Sequence, residues 1–465
     1  MTAAFHTICV KKERPSVLRL GKLWGVLVVL AVTNLDVLKI QASFGWTAYG
    51  VLLGILLLAF TMVNIAPNWG RQNFSRLGIM LGGETLIEIY LFSLTCNLII
   101  GIYLLRILFP RLSFTPSVWS ILLHVLFSLL AEGILAWNGF IRIYLSSVQL
   151  GIKWRVLFLL FWWVPLLNLV LLGRICAIVR AEYDFETEKE AQNKIRRLNE
   201  SCKTHYPIVL VHGVFFRDRK YFNYWGRIPG ELIRNGAVIF YGGQQSAAAT
   251  KDAAAELKEN ILRIIEESGC QKVNIIAHSK GGLESRYAIT HLGLSSCVAS
   301  LTTINTPHRG CAFVDWLLEK MPSCVCKWLA NSYNGALKRL GDTNPDFLAA
   351  VRDLTSRNCQ IFNQETPDAP DVFYQSVGSK MKNWRSAPFP QSLSYLLVRH
   401  FEKENDGLVG VDSMKWGSRF RMVPAAGKRG ISHGDMIDLY RENISRFDVR
   451  EFYVELVRQL KEEGF

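Results

Sequence analysis

Two patterns of apolar and polar positions divide the chain. Up to about residue 180, long apolar runs alternate with short polar stretches; beyond it, short apolar segments alternate with amphipathic ones. The runs 46–66, 86–109, 118–140 and 156–179 approach or exceed the roughly 20 residues with which a helix crosses a bilayer. Trp, Tyr and Phe gather near their ends, as in the aromatic belts of membrane interfaces. A fifth run, 17–34, has its apolar core at 23–33, with Arg19 and Lys22 just upstream. Its charged flanks and the lack of a convincing cleavage site read as a first span rather than a signal peptide. Five spans are therefore expected in a transmembrane domain, 1–180.

Residues 181–205 (AEYDFETEKEAQNKIRRLNESCKTH) form a charged, helix-compatible linker. Strands are then expected at 207–211, 237–241, 272–277, 298–304, 372–377 and 419–423. Helices are expected near 225–234, 253–267, 281–292 and, as a long closing element, 436–462. Such alternation predicts a mostly parallel sheet with helices on both faces over 206–465. Residues 312–341 interrupt it. There Phe313, Trp316, Leu317, Met321, Trp328 and Leu337 recur at roughly helical spacing.

Charge sharpens the division. Residues 1–180 hold 15 Lys/Arg against 5 Asp/Glu, so most of the net +14 lies there. The basic residues sit between apolar runs, not in the clustered stripe of a nucleic-acid binder. With five spans and the N-terminus inside, Lys11, Lys12, Arg14, Arg19, Arg71, Arg76, Arg142, Lys153 and Arg155 fall on the cytoplasmic side. Lys39 and Arg111 fall outside. That arrangement leads to the expectation of a multi-pass protein of the cell membrane with its C-terminal domain on the extracytoplasmic side; if the first run is not a span, the domain faces the cytosol instead. Glu88 and Glu132 lie within apolar runs, where acids are costly; Arg106 and Arg174 are their expected partners, and Pro165 is an expected kink. The ten cysteines show no zinc-site spacing and leave free thiols and disulfides equally open.

Chemistry concentrates in KVNIIAHSKGG, 272–282. A β-branched run stops at Ser279 between small residues and a helical pattern follows, the reading of a nucleophile elbow. Ala277 and Gly281 keep the turn sterically possible, and the backbone N–H of Lys280 becomes one oxyanion donor. The run PIVLVHG, 207–213, ends where a second donor is expected, the N–H of Val214, with Phe215 the weaker choice. Downstream, ENDG (404–407) offers Asp406 and ISHGD (431–435) offers His433. The order Ser279, Asp406, His433 is that of the α/β-hydrolases. His433 would act as base and then acid, oriented by Asp406. His400 is the alternative base, and Asp412 and Asp371 are the alternative acids.

These stretches also resemble the bacterial triacylglycerol lipases of the Pseudomonas, Bacillus and Staphylococcus type. LVHGVFF, YWGRIPGELIRNGAVIFY, AHSKGGLESRY, TINTPHRG, LTSRNCQIFNQETPD and NDGLVGVDSM occur in family order over most of 205–440. Ala277 stands where many relatives have Gly. The resemblance implies an α/β-hydrolase that cleaves lipid esters, most of all acylglycerols, through an acyl-Ser279 intermediate at a bilayer. It implies that 312–341 is a helical lid over the acyl pocket. It implies no cofactor beyond a structural Ca2+, for which Asp435 stands two residues after the histidine. A phospholipase or acyltransferase on the same scaffold, or a binding module without activity, are the other readings.

Overall fold

The computed structural model describes residues 16–42, 45–68, 73–108, 116–214, 223–339, 342, 344–424 and 427–465. Lys11, Lys12, Arg14, Arg71, Arg111 and Phe215 lie outside them. The chain forms two compact units, Met1–Glu190 and Ala191–Phe465.

The first unit is helical: α1 (Ser16–Thr33), α2 (Leu35–Ala42), α3 (Trp46–Ile65), α4 (Arg76–Leu108), α5 (Pro116–Ser146), α6 (Gly151–Phe161) and α7 (Leu167–Asn199), the last running on into the second unit. Among the described residues, three helices are long and apolar enough to cross a membrane: Trp46–Ile65, Arg76–Leu104 and Leu122–Ser146. α4 and α5 pack backbone to backbone through glycine. A Cβ on Gly83 would lie 2.7 Å from the Gly139 carbonyl, and one on Gly139 would lie 2.9 Å from the Gly83 carbonyl.

The run 156–179 is not one helix. It breaks at 162–166, where Pro165 cannot continue a helix and Leu166 has φ 63°. More consequentially, α7 returns to the end of the bundle from which α6 starts. The Glu182 carboxylate accepts from Ser147 Oγ at 2.6 Å, Val148 N at 3.0 Å and Arg76 Nη1 at 2.9 Å. Arg76 also reaches the Ser146 carbonyl, and Arg142 caps the end of α3 at the Asn64 and Ile65 carbonyls. The start of α4 and the ends of α3 and α5 thus share one face with Glu182. α6 is about 16 Å long at 1.5 Å per residue, roughly half the hydrocarbon thickness. α6 and the first part of α7 form a helical hairpin where a single helix was expected over 156–179. Glu88 pairs with Lys22 and Arg180, and Glu132 with Ser93 and Asn97; the side chain of Arg106, one of the partners expected, lies outside the described residues.

The second unit is a six-stranded, wholly parallel sheet: β1 (Ile208–Val211), β2 (Ile239–Tyr241), β3 (Val273–His278), β4 (Val298–Ile304), β5 (Phe373–Gly378) and β6 (Arg419–Met422). Their order in the sheet is β2-β1-β3-β4-β5-β6. β1, β3 and β4 are buried along their whole length because helices cover both faces. Alternate residues serve the two layers. Ile208, Leu210 and Ile276 pack with α8 (Ile228–Arg234) and α17 (Val449–Glu462); Val209, Val211, Ile275 and Ala277 pack with α9 (Thr250–Ser268) and α10 (Lys280–His291). The chain moves outward from β1 to β2 and then returns past β1 to β3. The crevice beyond the carboxyl ends of β1 and β3 is therefore a topological switch point, where open α/β sheets bind ligands. This is the α/β-hydrolase arrangement expected.

Two expectations change. The closing helix starts at Val449, with Asp448 as its N-cap, and not at 436. Asp438, Arg441 and Arg446 have positive φ, which no helix tolerates, and Asp438 is held by the Arg227 guanidinium at 2.7 Å. The segment 312–341 is two helices, α11 (Ala312–Lys320) and α12 (Ser323–Arg339), divided at Met321–Pro322. Between them and β6 lie α13 (Phe347–Arg352), α14 (Ser356–Glu365), α15 (Gln391–Phe401) and α16 (Val411–Met414). The nine described cysteines are free thiols.

Candidate active site

β3 ends at His278, and α10 begins at Lys280. Ser279 between them has φ 55° and ψ −130°, a conformation that an L-residue holds only when its surroundings enforce it. The enforcement is visible. Ser279 N–H donates to the Ile304 carbonyl at 2.9 Å, and glycine is required on three sides. A Cβ on Gly281 would lie 2.4 Å from the His212 carbonyl, one on Gly282 2.3 Å from Thr306 Oγ1, and one on Gly213 2.8 Å from Ser279 Cβ. The serine remains half-buried while His278 and Lys280 are buried, so its side chain stands at the crevice.

Asp406 and His433 come together from loops after α15 and after β6. His433 Nδ1 donates to Asp406 Oδ2 at 2.6 Å, and His433 N–H donates to the Asp406 carbonyl at 2.9 Å. Asp406 is wholly buried and saturated with donors. Oδ1 accepts from Leu408 N at 2.9 Å and Val409 N at 2.7 Å, and Oδ2 also accepts from Asn305 Nδ2 at 2.6 Å. With Nδ1 engaged by a carboxylate, the neutral imidazole keeps its lone pair on Nε2. The His433 ring lies 4.4 Å, centroid to centroid, from that of His278, the residue before Ser279. Among the described residues no hydrogen bond joins His433 to Ser279 Oγ, and such contacts often tighten only when substrate binds.

The competitors stand elsewhere. Asp412 is exposed and its carboxyl is held below the usual range by Lys415 at 2.6 Å. Asp371 and His400 are exposed on the surface. His308 is buried, stacked on Trp416 and bonded to Thr303 Oγ1, and burial, followed by the Arg286 charge, keeps it well below the ordinary histidine range. His278 is likewise held neutral, first by burial and then by His433, and its Nδ1 meets Tyr224 Oη at 2.7 Å.

Lys280 N–H opens α10, where the first turn of a helix leaves its donors unsatisfied. Val214 follows Gly213 at the carboxyl end of β1. A buried network links these two positions. Lys280 Nζ pairs with Glu284 Oε1 at 2.6 Å, Glu284 Oε2 accepts from Gln244 Nε2 at 3.0 Å, and Gln244 Nε2 also donates to the His212 carbonyl at 3.0 Å. This network and the support of Asp406 by Asn305 escaped the reading of the sequence. The (i, i+4) spacing of Lys280 and Glu284 was the visible trace of the first, whereas Asn305, inside TINTPHRG, gave no sign of its distant partner.

Asp435 does not fit a calcium ligand. Its Oδ1 accepts from Arg429 Nη2 at 3.1 Å and its Oδ2 from Ser432 N at 2.8 Å. A guanidinium already supplies the positive charge, and a hard cation wants six or more oxygens. Among the described residues no group of three or more Asp, Glu, His or Cys could hold a metal ion.

The C-terminal part of the chain is similar to known proteins. Residues 203–371 match the family described as "Putative serine esterase (DUF676)". A triacylglycerol lipase of Pseudarthrobacter phenanthrenivorans is 33% identical over 178 residues, covering 36% of this chain and 55% of that protein. One of Burkholderia plantarii is 33% identical over 178 residues, covering 36% and 49%. One of Vibrio cholerae is 28% identical over 276 residues, covering 52% and 88%. The chain thus spans about half the length of the first two relatives. A crystal structure of Bacillus licheniformis lipase BlEst2 superposes with a TM-score of 0.41 at 21% identity, covering 54% of this chain and 91% of that one. The C-terminal part of the chain is related to the triacylglycerol lipases.

Proposed function

We propose that the second unit is a serine ester hydrolase acting on acylglycerols, and that the first unit holds it at a bilayer. The observation that carries the reading is the Asp406–His433 pair, whose imidazole packs on His278, the residue just before the strained Ser279. Ser279 Oγ attacks the ester carbonyl while His433 Nε2 takes its proton. The N–H groups of Lys280 and Val214 receive the charge on the tetrahedral oxygen. Collapse of that intermediate expels the alcohol, which takes the proton back from His433. Water, activated by the same histidine, then releases the carboxylic acid and restores the serine. Asp406 stays ionised throughout and stabilises the imidazolium.

The lipid preference rests on α11 and α12, read as the lid. Trp316, Val325 and Trp328 are exposed on them, an apolar face suited to an interface. Replacing Trp316 and Trp328 together by Gln is expected to lower turnover of emulsified trioleoylglycerol about tenfold, the weight of an exposed aromatic pair of 1.5 kcal/mol or so. Turnover of p-nitrophenyl acetate should be unchanged. Equal losses on the two substrates would make this segment ordinary fold and the enzyme a general esterase.

Packing within the first unit also supports a proposal for the side of the membrane. Arg76, Arg142, Arg155 and Arg180 gather at the end of the bundle where Glu182 sits, and the positive-inside rule makes that end cytoplasmic. Because α6 and α7 turn back, the chain leaves the bundle at this same end. On this reading the catalytic unit lies at the cytoplasmic face, in place of the extracytoplasmic side expected with 156–179 as a span. A membrane-impermeant maleimide applied to intact cells should leave the exposed Cys324 unlabelled and modify it only after permeabilisation. Labelling in intact cells would restore the extracytoplasmic assignment.

A further inference from the structure

The first unit contains a cavity of about 560 Å3 between α4, α5 and the hairpin of α6 and α7, unrelated to the ester-cleaving site. Its walls are apolar, with Leu94, Leu98, Trp137, Phe158 and Trp162 prominent, and its size falls within the range of small-ligand pockets. The break in the hairpin brings Trp162 to it. The Trp162 ring lies 5.3 Å from that of Trp137, closing one wall with two indoles.

The floor is polar. His124, Ser128 and Glu132 succeed one another at (i, i+4) spacing along α5, and Asn97 faces them from α4. His124 is 3% exposed, and its Nδ1 meets the Thr33 carbonyl at 2.9 Å. A carbonyl only accepts, so Nδ1 carries the hydrogen and Nε2 of the neutral ring is an acceptor. Glu132 is 4% exposed and accepts on both oxygens, from Ser93 Oγ at 2.9 Å and Asn97 Nδ2 at 3.0 Å. Asn97 Oδ1 is taken by Thr33 Oγ1 and Asn34 Nδ2 at 3.1 Å each. Ser128 Oγ is buried and has no hydrogen-bond partner among the described residues. A buried hydroxyl left unpaired costs free energy that a ligand can recover. The floor therefore offers acceptors and one idle hydroxyl to whatever enters.

We propose that this cavity binds a single-chain lipid with a neutral, hydroxyl-bearing head, of the monoacylglycerol class. The apolar walls take the chain, and the head donates to His124 Nε2 and exchanges hydrogen bonds with Ser128 Oγ. An anionic head is disfavoured because it would find acceptors where it needs donors. A two-chain lipid would leave one chain outside the cavity. The proposal rests on the reading of the first unit as membrane-embedded and is independent of the reading of Ser279.

The test uses the full chain in phosphatidylcholine nanodiscs with two photoreactive probes, a diazirine-bearing 1-O-alkylglycerol and the matching diazirine-bearing fatty acid. The ether cannot be hydrolysed, so the outcome does not depend on esterase activity. The glyceryl ether should label peptides within 90–102, 124–137 or 158–172, and excess unlabelled alkylglycerol should suppress that labelling while excess fatty acid does not. Ser128→Leu, which removes the idle hydroxyl and fills the floor, should reduce labelling about tenfold, in line with a lost buried hydrogen bond. Should that variant fail to fold, Trp162→Ala opens the wall and should reduce it as well. Equal competition by the fatty acid, labelling spread as strongly along α3, or labelling undiminished in both variants would overturn the proposal and make the cavity ordinary lipid-facing surface.

Discussion

Ser279→Ala is expected to lower the turnover of p-nitrophenyl butyrate by about five to six orders of magnitude, the loss typical of removing a serine nucleophile. The altered enzyme keeps the proposed oxyanion donors, so a small rate above that of water should persist. The fold should not notice. Ser279 Oγ forms no hydrogen bond with the described residues, and alanine fills the same space beside Gly213, so a thermal melt should move by no more than about 1 kcal/mol of stability. Activity near that of the unaltered chain would remove Ser279 from the mechanism.

Asp406→Asn should cost about four orders of magnitude in turnover, because the histidine would be held in the wrong tautomer. The surroundings leave the amide no good orientation. With its NH2 at the Oδ2 position it makes His433 Nδ1, at 2.6 Å, an acceptor and also faces the donor Asn305 Nδ2 at 2.6 Å. Turned over, it faces the N–H groups of Leu408 and Val409 at 2.9 and 2.7 Å. Two donors meeting in a buried site also cost stability, on the order of 1–3 kcal/mol. Both losses should appear in one preparation, in a kinetic assay and a chemical denaturation curve. Asp412→Asn serves as the control, since that carboxylate is exposed and paired only with Lys415; it should retain activity within a factor of about two. A normal rate for the Asp406 variant together with loss for the Asp412 variant would exchange their roles.

What could be read in the sequence was what local chemistry decides. IVLV, VNIIAH and VASLTTI are apolar on both faces, so β1, β3 and β4 were visible as buried strands almost to the residue. The elbow was visible because its small residues are adjacent in the chain. Asp406 and His433 were visible only in the company of Ser279, through their order. Long-range pairing was what stayed hidden. Nothing local tells that Arg227 holds Asp438 in a left-handed turn and so delays α17, or that Arg429 supplies the charge beside Asp435. The apolar run 156–179 has the length and composition of a span. Its return to the starting end depends on Glu182 meeting Ser147 and Val148, contacts that hydropathy does not register.

A fluorophosphonate probe applied to the unaltered chain tests most directly whether Ser279 is an activated nucleophile. Phosphonylation requires a serine whose proton a nearby base removes and an oxyanion site that receives the developing charge. Digestion and mass spectrometry should locate the adduct on Ser279 alone, and its occupancy should rise in step with the loss of ester hydrolysis. An adduct on another residue, or full hydrolysis with Ser279 unmodified at saturating probe, would contradict it.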